Sequence, residues 1–86
     1  MVKKQKLFRK LVNSPQNSSF QDFQAVAEAF GFQLARIKGS HHIYQHPAVD
    51  ESLNLQDRKG RAVAYQVSQL LVLVEKYNLE IGDEVK

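Results

Sequence analysis

At Gly31 the chain changes its hydrophobic period. Before it, Phe23, Val26, Ala27 and Phe30 recur at the three-and-four spacing that lines one side of a helix. Ser19 is placed to cap that helix, and Asp22 lies near the positive end of its dipole, so the spacing predicts a helix over about 20–30. Glycine just past the last turn is the usual stop. After it, Phe32–Lys38 and His41–His46 have the length and β-prone content of strands, joined by the turn pair Gly39-Ser40. Pro47 ends the second strand, a third is expected at Ser52–Gln56, and Asp57-Arg58-Lys59-Gly60 turns the chain. From about Tyr65 to Tyr77, the residues Val67, Leu70, Leu71, Val74 and Tyr77 make an apolar stripe, broadened by Val72 and Leu73, which predicts a closing helix.

The expected order is α-β-β-β-α. Short connections favour an antiparallel meander over crossover links. Two helices on one face of such a sheet bury a single core and leave the other face free, an α+β sandwich. Ahead of it, Lys3–Asn13 predicts a short helix with Leu7, Phe8, Leu11 and Val12 as its stripe, and the segment 13–19, with Pro15 and several loop formers, reads as a linker or docking arm free to move. Residues 1–19 therefore form a basic arm, 20–80 the folded domain and 81–86 a tail. With 86 residues and no cysteine, the chain has neither a disulfide nor a thiolate zinc site, which suits the cytoplasm. No apolar run follows the basic N-terminus that could serve as a signal peptide or cross a membrane, so no membrane association is expected.

Charge is unevenly spread. Up to Ser40 there are seven basic residues (Lys3, Lys4, Lys6, Arg9, Lys10, Arg36 and Lys38) against the acidic Asp22 and Glu28, whereas the remainder has five basic and seven acidic residues. A basic half points to a polyanionic partner, although a solvated basic helix end produces the same count.

All three histidines fall within six residues, in Lys38-Gly-Ser-His-His-Ile-Tyr-Gln-His-Pro47. On a strand His41 faces one way and His42 and His46 the other. His42 and His46 are then roughly 13 Å apart, too far to share a metal ion held at about 2 Å, and no metal is expected. Taken singly, they read as half-buried strand residues with satisfied hydrogen bonds. His41 differs because Gly39 permits a sharp turn, Ser40 offers a hydroxyl and an N–H, and Arg36 and Lys38 bring positive charge to where a phosphodiester could be held. An imidazole beside a phosphate can take a proton or give one.

These segments resemble the HicA, or YcfA-like, family of toxin ribonucleases. The likeness runs from about Phe20 to Leu79 and rests on Gly31-Phe32, Gly39-Ser40-His41, His46-Pro47, Leu53-Asn54-Leu55-Gln56 and the run from Tyr65 to Leu79. It departs from many members in lacking a Val-Pro third strand and a Gly-Thr helix start, as a divergent subgroup would. The resemblance implies a double-stranded-RNA-binding-like (dsRBD-like) fold and an mRNA interferase, silenced by a HicB-like antitoxin, with His41 at the family's catalytic position. It implies RNA as substrate and no small-molecule cofactor.

On that reading His41 transfers the proton, with Arg36, Lys38, Gly39, Ser40 and His42 as candidate RNA contacts. A second basic group, Arg58, Lys59 and Arg61, would hold RNA away from the cleavage point or be an ordinary charged turn. The arm would bind RNA through its lysines and Arg9, or pack through its apolar stripe. Two other readings stand beside the nuclease: a non-catalytic RNA-binding module, and a protein that chiefly binds a HicB-like regulator.

Overall fold

A computed structural model describes residues 3–82 of the chain. The expected tail beyond Gly82, and the side chains of Lys3 and Lys4 as RNA contacts, lie outside the described residues. Helix α1 spans Lys3–Asn13, α2 Phe20–Ala29, β1 Gln33–Lys38, β2 His41–His46, β3 Val49–Gln56 and α3 Ala64–Lys76. The strands form one antiparallel sheet in the order β1-β2-β3. The α-β-β-β-α order is the one the spacing predicts, and with this sheet it is compatible with the dsRBD-like fold that the family resemblance implied.

The helix boundaries have local causes. Ser19 Oγ accepts the Asp22 N–H at 3.0 Å, so α2 starts on a side-chain cap. It stops at Gly31, whose φ of +101° suits a residue without a Cβ. Gly39, at φ +61°, takes the first place of the two-residue hairpin turn between β1 and β2.

Alternation then sorts the sheet. Tyr44, Leu53 and Leu55 point to the helices and are buried with Phe23, Val26, Phe32, Val67 and Leu70 in one apolar cluster. The helices do not cover β1. Its helix-side residues Leu34 and Ile37 remain 45% and 57% exposed. β3 starts three residues earlier than expected, because Val49 pairs with His46 across the Pro47-Ala48 turn. Asp50-Glu51-Ser52 carries no local strand signal; pairing with β2 imposes the extended form.

The arm packs. Leu11 is 1% exposed in the same cluster as α2, Leu7 and Phe8 lie against it, and the Phe8 ring meets Phe30 edge-on at 4.9 Å. The expected linker is ordered as well: Pro15–Asn17 make one 3-10 turn, and buried Ser18 bonds back to the Ser14 carbonyl. No described helix is long and apolar enough to cross a membrane.

Candidate active site on the open sheet face

Cross-strand register decides which side chains share a face. Arg36 pairs with Ile43, Lys38 with His41, His41 with Gln56 and Ile43 with Asn54. Directly opposed residues project to the same side of a sheet. Arg36, Lys38, His41, Asn54 and Gln56 therefore lie together on the side away from Leu53, Leu55 and the helices.

His41 is half-buried there. Its Nδ1 lies 3.2 Å from Asn54 Oδ1. An amide oxygen only accepts, so in this pair Nδ1 carries the proton and Nε2 keeps its lone pair. Among the described residues no protein group engages Nε2.

The second basic group is closer than expected. The Asp57 N–H donates to the Ser40 carbonyl at 2.9 Å, which ties the 57–60 turn to the β1–β2 turn. Asp57 Oδ1 accepts the Gly60 N–H at 2.7 Å, and Arg58 and Arg61 exchange backbone bonds across the turn. Arg58, Lys59 and Arg61 are exposed at the same end of the sheet as Ser40 and His41. That tether sets this second basic group beside the hairpin bend that carries Ser40 and His41. Gly39 and Ser40 form the exposed bend itself. A Cβ on Gly39 would meet no atom within 4 Å, so its backbone angle, and no tight contact, calls for glycine.

The other histidines lie on the helix side. His42 packs its ring on Phe20 at 4.8 Å, with Nδ1 3.4 Å from the Ser40 carbonyl, on the face opposite His41. His46 Nδ1 accepts the Ala48 N–H at 2.9 Å while Nε2 donates to the Phe30 carbonyl at 2.9 Å. Both its nitrogens serve the fold. Among the described residues no three His, Asp or Glu side chains converge as a metal cluster.

Sequence reasoning missed two polar residues. Asn54 meets His41 only through register, although the Leu53-Asn54-Leu55-Gln56 alternation already set it opposite the core. Gln66 is buried in the first turns of α3, where its Oε1 accepts the Gln56 N–H at 2.7 Å and fixes the end of β3.

A family model for the HicA toxin of bacterial toxin-antitoxin systems matches residues 20–63, from the start of α2 to the residue before α3. That span contains Gly31-Phe32, Gly39-Ser40-His41 and His46-Pro47, while the likeness over Tyr65–Leu79 falls outside it. Neither the curated proteins nor the solved structures give a match. On the strength of the family match, this chain belongs to the HicA toxin family of bacterial toxin–antitoxin systems.

Proposed function

We propose that the chain is a metal-independent endoribonuclease and that His41 is its proton-transfer catalyst. The observation that carries this reading is the placement of the ring: outside the apolar layer, with Nε2 unengaged among the described residues and Arg36 and Lys38 on the same face. RNA brings its own nucleophile. His41 Nε2 takes the proton of a ribose 2′-hydroxyl as the 2′-oxygen bonds to the adjacent phosphorus. Arg36 and Lys38 stabilise the charge that gathers on the phosphate oxygens. The P–O5′ bond breaks, the 5′-oxygen takes a proton from water, and the imidazolium neutralises the hydroxide left behind. The products are a 2′,3′-cyclic phosphate and a 5′-hydroxyl.

Arg58, Lys59 and Arg61 extend the positive surface along the backbone of the bound strand. Such contacts set affinity and salt dependence and carry no sequence preference. The antitoxin of the pair would silence the enzyme by laying an acidic face over His41 and these cations.

The test is cleavage of a long RNA by purified wild type and His41→Ala with a chelator present. Cleavage by wild type that disappears in the variant is the expected result. Equal RNA binding without cleavage in both would replace the enzyme with a binding module. Absence of RNA affinity, together with capture of an acidic partner, would make regulator binding the main role.

A further inference from the structure

We propose that Asn54 is a positioning residue, whose side-chain carbonyl holds the Nδ1–H of His41 and so keeps Nε2 unprotonated and turned to the open face of the sheet. The proposal rests on the nuclease reading for its purpose, and on the 3.2 Å contact for its substance.

An unconstrained neutral imidazole favours the proton on Nε2. A base that must receive a proton at Nε2 needs the opposite tautomer, and needs its ring held still. Asn54 does both from a rigid place. It follows Leu53 and precedes Leu55, both 0% exposed, so the strand on either side of it is pinned into the core. Its pairing with Ile43 puts it diagonally across from His41, within reach of the ring and on the same face.

The choice of an amide also has a consequence. A carboxylate in this position would set the same tautomer, but it would add negative charge beside an incoming phosphate. The amide orients the ring without repelling the substrate and without titrating. The charged residues on this face and at this end of the sheet are Arg36 and Lys38 from β1, with Asp57, Arg58, Lys59 and Arg61 after β3, and Asp57 Oδ1 is occupied by the Gly60 N–H.

Nitrogen-15 NMR of the His41 ring, recorded at a pH where it is neutral, tests the assignment in wild type, Asn54→Ala and Asn54→Asp. Wild type is expected to show the Nδ1–H form and Asn54→Ala the Nε2–H form, with RNA cleavage by Asn54→Ala reduced about tenfold or more. Asn54→Asp restores the Nδ1–H form and moves the acid limb of the cleavage profile to higher pH, because its carboxylate favours the imidazolium. Backbone amide spectra confirm that each variant is folded, and Asn54→Asp carries the test if Asn54→Ala is not. An Nε2–H signal in wild type, or an Nδ1–H signal that survives Asn54→Ala, overturns the proposal. A tautomer switch in a protein that never cleaves RNA supports the positioning role and removes the nuclease reading instead.

Discussion

Gly31 and His46 fit against each other with no room for a methyl group. A Cβ on Gly31 would come to 2.7 Å from His46 Nε2, the nitrogen that donates to the carbonyl of Phe30. The same histidine holds the Ala48 N–H, so one ring ties the end of α2 to the β2–β3 turn. Gly31→Ala combines that clash with the strain of a left-handed φ, and is expected to cost about 2 kcal/mol or more. Urea unfolding measures it. A loss under about 0.5 kcal/mol would mean that the ring moves aside freely.

Gln66 closes the other end of the sheet by accepting the Gln56 N–H. Gln66→Leu keeps the volume and strands that donor, at a cost of about 1–3 kcal/mol. In a domain of this size each kcal/mol lowers the melting temperature by about 4–8 °C. Thermal unfolding reads the change, and an unaltered melting point would show that water replaces the bond.

Tyr44 gives a pH dependence. Its ring is buried, while its hydroxyl accepts from Gln24 at 3.1 Å and donates to Glu28 at 3.3 Å. Burial pushes the hydroxyl above its ordinary value of 10.0; the Gln24 bond works against this, and Glu28 adds to it. The folded chain thus holds this proton more tightly than the unfolded chain. The associated stability is complete below about pH 10 and is lost as pH rises through the raised value. Tyr44→Phe should therefore lose less stability than wild type between about pH 9 and 11, a range that brackets the ordinary tyrosine value. Chemical unfolding across that range decides it, and parallel curves would show that Tyr44 does not set the decline.

RNA contact on the open face has an ionic signature. Each phosphate contact made to a single strand contributes about 0.7 to the slope of log affinity against log salt. Lys38→Ala and Arg58→Ala are each expected to reduce the slope by about that amount on an uncleavable 2′-O-methyl RNA. Lys10, on α1 and 3.9 Å from Asp22, serves as the comparison. If Lys10→Ala lowers the slope and the other two leave it unchanged, the strand runs along the arm.

The local rules of the chain were sufficient for the order of elements. Apolar spacing before Gly31, the Ser19 cap and the Gly39-Ser40 turn are read within a few residues, and each sits where the spacing put it. Asp50-Glu51-Ser52 could not be read in this way, because its extended form comes from pairing with β2. The linker likewise looked free by composition, yet Ser18 is buried, which only packing on the rest of the domain can bring about.

The same division runs through the candidate site. Alternation alone separated His41 from His42 and His46, since the pleat has a period of two. Which of the two faces met the helices was settled by the burial of Tyr44, Leu53 and Leu55. Only register brought Asn54 to His41, and only the Asp57–Ser40 bond brought the second basic group to the hairpin end. Sequence periodicity is a short-range property, whereas register and layer packing join residues far apart in the chain, and a slip of one position would turn every strand side chain to the opposite face.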